Sequence, residues 1–406
     1  MTKLRAMIAL LLILIFALAL AGCDHSNGRK YSDPVDFEGA AHSVSVFFVN
    51  VDKADCAIVL VDSHAWLIDA GEEESFVNVF SALELLNVKQ LDGVILSHGH
   101  SDHIGGLEPI DQKYPIGQVV TPALLIDSSS IDGLLEDIAL NSRGVTAGDS
   151  IFITDGVAFE VLAPLSLNTK DDNDNSLVLM LRVNGRRFLF TGDMQFAEDA
   201  ELVSSGADIA CDVLKVPNHG NPDATGEAFA KAADPLIAVI STDTSVDKDS
   251  ANRTVRAKLR NAEIFLTEEH TLGVLVTVSE KGEIAVSFPE RPAPTALGLR
   301  ITEASKAHQA VVITNEGEEE VDLAGCFVWS TKGCEIFAFP DEAALEPGTS
   351  IMLKPGCSIT IASTKSDIAG SADYLFPFKK VFADSKEDIA VLCDAYGNEL
   401  SRLESR

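Results

Sequence analysis

The segment Ser97-His98-Gly99-His100-Ser101-Asp102-His103-Ile104-Gly105-Gly106 gathers three of the chain's nine histidines and one aspartate within six positions. Neutral imidazoles and carboxylates are the donor set of borderline divalent metals, and glycines beside them permit the tight turns that cup an ion. A surface loop that merely happens to be rich in histidine is the plain alternative. It explains neither the glycines nor the short apolar run at 94–96 that leads straight into the segment. His98 and His100 can point the same way from an extended loop, while Asp102 and His103 open the next helix and face a second ion. Two such cations would lower the pKa of a shared water and stabilise charge on a phosphoryl or acyl oxygen. That chemistry needs no serine or cysteine nucleophile, and no Gly-x-Ser-x-Gly elbow occurs.

The elements around this segment follow from short apolar runs. Strands are expected at 44–49, 56–61, 65–68, 94–96, 176–183, 187–190, 213–216 and 236–240, and helices at 76–86, 131–141 and 254–261. Runs 272–278 and 283–288 read as a hairpin about Lys281-Gly282. Strands and helices interleave, yet many strands are joined by tight turns, which argues for two layered sheets with helices outside and against a purely parallel sheet. After Pro289, Pro292 and Pro294 the helical period fades, and beta runs at 310–314, 326–329, 336–339, 358–362 and 389–393 predict an all-β sandwich.

The chain has 406 residues, 46% apolar, with 31 basic against 62 acidic side chains and a formal charge of -31. This is enough for two to three domains, and it excludes a broadly basic nucleic-acid coat. Lys3 and Arg5 precede an apolar run at 6–20 that ends in Leu20-Ala21-Gly22-Cys23. That is the plan of a secretory signal. Its end resembles the bacterial lipobox, which implies lipidation at Cys23 and an extracytoplasmic protein anchored to the cell membrane. Residues 24–41 are polar and read as a tether. Cys326, Cys334, Cys357 and Cys393 leave room for up to two disulfides in an exported chain, with pairing open.

The histidine cluster resembles the signature of the metallo-beta-lactamase superfamily. Further landmarks of that family stand in order: Asp69 in Leu67-Ile68-Asp69-Ala70-Gly71, Asp193 in Phe190-Thr191-Gly192-Asp193, and His219 in Lys215-Val216-Pro217-Asn218-His219-Gly220. The resemblance implies a four-layer αββα sandwich over 42–290. It also implies two divalent ions, zinc or manganese, held by His98, His100, Asp102, His103, Asp193 and His219, with Asp69 behind them orienting ligands. Asp102 and Asp193 would hold the ions and orient the nucleophile, a metal-bound hydroxide.

Asp55, the stretch Asn173-Asp174-Asn175-Ser176-Leu177-Val178-Leu179 and Val213-Leu214-Lys215-Val216-Pro217 resemble the competence-type, ComEC-like branch. This points to a phosphodiesterase or nuclease with DNA among the substrates, although the acidic surface counts against long DNA. Asn175 stands where many relatives have a histidine. Asn218 and His270 are candidate site-lining residues. A lactamase- or lactonase-like hydrolase, or a cell-surface binding protein with a relic metal site, are the alternatives. Beyond a linker at 291–298, residues 299–406 resemble a lamin-tail domain, an immunoglobulin-like sandwich, on Ala310-Val311-Val312-Ile313-Thr314-Asn315, Leu345-Glu346-Pro347-Gly348 and Asp388-Ile389-Ala390-Val391-Leu392-Cys393. The resemblance implies a surface partner for it.

Overall fold

The computed structural model describes residues 29–340, 351–383 and 387–406. Cys23 and the expected signal lie outside them, as does the 345–348 motif. No helix among the described residues is long and apolar enough to cross a membrane.

Alternation along the strands builds the layers. In Val44–Val49, Val46 and Phe48 face one way and Phe47 and Val49 the other, and all four are buried. A strand buried on both faces must lie between two covers. Val46 and Phe48 join Trp66, Ile68, Phe159, Leu181, Phe188 and Phe190 in a core between two sheets. Phe47 and Val49 pack instead with Phe76, Phe80 and Leu83 of helix Phe76–Leu85. The second sheet repeats the device: Met180, Leu189, Leu214 and Ile240 pack outward on Leu202, Phe229 and Val255. The result is helix, sheet, sheet, helix.

The first sheet has nine strands and the second seven. Each has an antiparallel half and a parallel half. In the first, His64–Ile68, Gly93–Ile95, Val119–Pro122 and Ser142–Val145 run parallel. In the second, Arg186–Phe190, Val213–Lys215, Ile237–Ile240 and Glu263–Leu266 do. Parallel strands end together, so the loops that follow Ile68, Ile95, Phe190, Lys215 and Ile240 all leave from one edge. Ligands of open α/β sheets bind at that carboxyl edge.

Part of the tether is not free. Arg29–Lys30 pairs antiparallel with Ile284–Ser287, and Tyr31 N–H and Val35 N–H donate to Ile284 and Lys281 carbonyls at 2.9 and 3.0 Å. The outer strand of the sheet had open backbone groups, and this segment pairs with them.

The C-terminal residues form two four-stranded sheets and a two-stranded ribbon. Leu299, Ile301, Val311, Ile313, Phe339, Phe376 and Leu392 fill the space between them. This unit shares a core with the first. Phe327 lies 5.2 Å from Phe80 and Trp329 5.1 Å from Phe76, ring centre to ring centre, both near edge-to-face. Ser81 Oγ donates to the Tyr396 carbonyl at 2.6 Å, and Ile336 N–H donates to Gln112 Oε1 at 2.9 Å. The expected linker is docked as well, because Arg291 donates to Ser81 Oγ and Asn78 Oδ1. Cys326, Cys334, Cys357 and Cys393 are all free thiols. Three are buried in apolar surroundings and Cys357 is exposed, so the sandwich rests on packing and not on bridges.

Candidate metal centre

Asp69 ends the turn after His64–Ile68 with φ +60°, a left-handed conformation that Asp tolerates better than most residues. Its carboxylate accepts Ser97 N–H at 2.7 Å and Ser97 Oγ–H at 2.8 Å, and stands 2.9 Å from His103 Nδ1. A carboxylate only accepts, so Nδ1 of His103 carries the proton and Nε2 is turned into the site. His219 is set the same way. Its Nδ1 lies 3.1 Å from the Ser241 carbonyl, which again leaves Nε2 to face inward. The loop that carries it holds two successive left-handed residues, Asn218 at φ +46° and His219 at φ +51°.

Asp193 receives both rings. Its Oδ2 is 3.3 Å from His103 Nε2 and 3.2 Å from His219 Nε2. Gly192 before it has φ +48°, and a Cβ there would meet the Ser97 and Ser176 side chains at 2.8 Å, so only glycine lets the turn pass. Asp193 N–H donates to Ser176 Oγ at 3.0 Å, which steadies the same turn.

His98 is fully buried, with Nδ1 3.0 Å from Ser97 Oγ and Nε2 3.0 Å from Nδ1 of the exposed His100. The His98 ring lies 4.1 Å from that of His103. Asp102, in helix Ser101–Ile104, places Oδ2 3.8 Å from His219 Nε2 and 3.4 Å from Lys53 Nζ. Six expected metal residues therefore meet at one edge, with Asp69 behind His103.

Asp55, a family landmark in the sequence, joins the cluster in space. One ligand atom from each of Asp55, His103, Asp193 and His219 lies within 4.8 Å of the others, and all four residues are buried. Lys215 is buried too and is ion-paired with Asp55. Lys215, Ser97, Ser176 and Ser241 were not singled out as site residues. Only the lysine carried a signal: a charge in an apolar strand run is rarely buried without a partner.

Three expected lining residues are occupied elsewhere. Asn175 is fully buried, but its carboxamide accepts Asn168 N–H and donates to the Asn168 and Asp171 carbonyls and Asp172 Oδ1, so it organises its own loop. Asn218 Nδ2 donates to Asp223. His270 stacks on Phe288 at 3.7 Å.

The electrostatics describe a site short of positive charge. Burial pushes the pKa of His103 down, but Asp193 and Asp69 overcome it and hold the value well above the ordinary histidine range. Burial likewise opposes ionisation of Asp193, yet His219 and His103 hold its carboxyl well below the ordinary range. Burial, followed by His103, lowers His98 well below the usual value, so it is neutral and ready to donate a lone pair. For Lys215 the penalty of burial is outweighed by Asp55 and Asp193, and its pKa is raised. His103 Nε2, His219 Nε2, Asp193 Oδ1 and Asp55 Oδ1 have no hydrogen-bond partner, while Asp55 Oδ2 is held by the Lys215 ammonium. The two carboxylate-facing rings hold protons against burial, and a divalent cation that takes the place of those protons between them and Asp193 fits the same donor set.

Residues 49–244 match the family described as the metallo-beta-lactamase superfamily. The domain built around this site has the metallo-beta-lactamase fold, and the match takes in just under half of the chain. Among curated relatives of the metallo-beta-lactamase domain, ComE operon protein 3 of Bacillus subtilis (strain 168) is 30% identical over 209 residues, which are 50% of this chain and 25% of that protein. Recombination protein 2 of Haemophilus influenzae is 28% identical over 165 residues, 39% of this chain and 19% of that one. Competence protein ComA of Neisseria gonorrhoeae is 28% identical over 165 residues, 40% and 22% of the respective chains. The match thus spans a quarter or less of the length of these relatives. Among solved structures, the metallo-beta-lactamase fold protein YhfI of Bacillus subtilis aligns with TM-score 0.40 and 11% identity, covering 58% of this chain and 99% of that one.

Proposed function

We propose that the metallo-beta-lactamase domain is a metal-dependent hydrolase of phosphodiesters, exported and anchored to the membrane through Cys23. The observation that carries this reading is the convergence of His103 Nε2 and His219 Nε2 on Asp193 Oδ2 at 3.3 and 3.2 Å, each ring fixed from behind through its Nδ1. His103, Asp102, Asp193 and His219 would hold one cation, and His98 and His100, with Asp193, would hold a second. Divalent cations bound there lower the pKa of water and offset negative charge on a phosphoryl oxygen.

The chain's own contribution is preorganisation. Asp69 and the Ser241 carbonyl fix the two rings by their Nδ1 protons, so that neither ring has to turn as charge develops. Ser176 and Gly192 hold Asp193 between them. Asp102 and Asp193 keep their negative charge on the side where a nucleophile is oriented. Phosphodiester substrates are favoured by the relatives named for competence and recombination. The C-terminal sandwich is proposed to be a lamin-tail-like module that binds a surface partner. The test of the activity is turnover of bis(p-nitrophenyl) phosphate and of single-stranded DNA with manganese or zinc, compared with His98→Ala. A loss of at least ~100-fold is expected, and equal rates would refute the reading.

One observation favours a second reading, hydrolysis of a small neutral lactone or lactam. Asp52 has its pKa raised by burial and by Asp243, and Lys53 sits among Asp102, Asp247 and Glu72. Carboxylates this close together repel a long polyanion. Nitrocefin or lactone turnover in the absence of phosphodiester turnover would select this alternative.

A further inference from the structure

Strand Arg29–Lys30 has a direction as well as a partner. Arg29 stands opposite Val286 and Lys30 opposite Ala285, so the chain that precedes Arg29 leaves toward Ser287. Ser287 is opposite Leu275, Gly273 is opposite Val49, and Ala57 pairs with both Phe48 and Ile68. Ser287, Gly273, Val49, Ala57 and Ile68 therefore mark one edge of the first sheet, the edge that carries the candidate metal centre. Cys23 lies six residues before Arg29, a stretch that reaches at most about 22 Å when fully extended. A lipid on Cys23 is thus tied to the flank of that edge.

The same edge carries an excess of exposed apolar side chains. Ile126, Leu165, Leu167, Phe196 and Val246 are 41–68% exposed. Ile126 follows strand Val119–Pro122, Phe196 comes three residues after Asp193, and Val246 lies in the loop after Ile240. Leu165 and Leu167 follow Ala163, which is opposite Val178, next to the Leu179 that pairs with Phe190. Hydrogen bonds tie three of these loops together. Ile126 N–H donates to Asp172 Oδ1 at 2.8 Å, and Asp174 accepts from Asn168 Nδ2 at 3.0 Å and from Gln195 N–H at 3.1 Å. Among the described residues of 42–290, only Phe152 and Leu236 are comparably large, apolar and exposed, and Leu236 stands at the opposite end of Ile237–Ile240. Single exposed apolar residues are ordinary, but a set gathered on the loops of one edge marks a surface that meets something apolar.

Resting on the proposal that Cys23 carries a lipid, we infer that the edge with the metal centre faces the bilayer, and that Ile126, Leu165, Leu167, Phe196 and Val246 seat it in the lipid interface. Two observations that share no residue agree on that edge: the exit of the anchored segment and the exposed apolar loops. Charge takes no part in the attraction. Asp127, Asp172, Asp243 and Asp247 stand on the same loops, so an anionic surface repels this edge and a zwitterionic one is the partner it fits. The lipid supplies the hold, and the apolar loops set the orientation. The centre then works on substrates presented at the membrane surface.

The test uses the full lipidated chain in phosphatidylcholine vesicles, with and without acyl chains brominated near the headgroup, which quench tryptophan at that depth. Trp66 is buried and Trp329 lies in the sandwich, so wild type supplies the background. Val246→Trp and Leu165→Trp are expected to lose at least ~2-fold of their added fluorescence to the brominated lipid, and Leu236→Trp to lose none. All three positions are exposed, and far-ultraviolet spectra equal to that of wild type check the fold. Quenching of Leu236→Trp equal to or greater than that of Val246→Trp overturns the inference. So does the absence of quenching at all three, and a dimer in detergent would then assign the apolar loops to a second copy. The mass of the purified wild-type chain separates this inference from the reading beneath it. A Cys23 without lipid overturns the anchoring, and the orientation with it, whereas a lipidated chain with the wrong quenching pattern overturns the orientation alone.

Discussion

Asp69 Oδ2 lies 2.9 Å from His103 Nδ1, and the same carboxylate accepts both donors of Ser97. One buried acid therefore sets a ligand ring and the backbone turn that delivers His98. Asp69→Asn keeps the shape but can offer His103 an amide N–H where an acceptor is needed. Metal affinity of the stripped protein is expected to fall ~10- to 100-fold in equilibrium titration, while the far-ultraviolet spectrum stays that of wild type.

The two left-handed residues before the second histidine's partner strand give a different expectation. Asn218 at φ +46° is a position where a branched side chain crowds the following carbonyl. Asn218→Val is expected to lower stability by ~1–2 kcal/mol in urea titration, with metal affinity falling too because His219 follows directly. Asn218→Gly removes that strain and the bond to Asp223 together, and is expected to stay close to wild type.

Glu198 predicts how stability depends on pH. It lies in helix Phe196–Ser205, 3% exposed, and neither carboxylate oxygen has a hydrogen-bond partner. Burial, and then Asp174, pushes its pKa well above the ordinary value of 4.5. The folded chain thus holds a proton that the unfolded chain releases near that value. The stability contributed is fully present below the unfolded pKa and is lost as pH rises through the folded one. Glu198→Gln keeps the neutral form at every pH. It is expected to raise Tm at about pH 8, with the gain vanishing toward about pH 4; a gain independent of pH would contradict the assignment.

The shared core between the two units has a calorimetric consequence. Phe327 sits against Phe76 and Phe80, and Lys113 Nζ lies 5.6 Å from the centre of its ring. Phe327→Ala is expected to cost ~3–5 kcal/mol, and wild type to melt in a single calorimetric transition. Two well-separated transitions in wild type would show the contact to be too weak to couple the units.

Much of the first domain was legible because its strands alternate strongly: 44–49 was placed to the residue, and 56–61 and 213–216 to within one. Helices Phe196–Ser205 and Glu227–Ala233 were not foreseen. Each is short and half polar, and its apolar face is defined by the sheet it covers more than by its own pattern. Of the site, the histidines and Asp193 were legible from residue type and order. Ser241 was not, because it acts through a backbone carbonyl, which any residue has. Asn175 misled because a correspondence of position says nothing about where a carboxamide spends its hydrogen bonds. The docking of the sandwich on helix Phe76–Leu85 left no local signal, since Phe76 and Phe80 read as core whichever unit covers them.

The proposed chemistry requires a divalent cation where His103, Asp193 and His219 meet. A crystal of the protein loaded with manganese or zinc, with anomalous scattering measured on both sides of the metal's absorption edge, tests it most directly. An edge-dependent peak bounded by His103, Asp193 and His219 is expected, with a second beside His98 and His100. No peak at the cluster, or one only at a distant surface site, would contradict it.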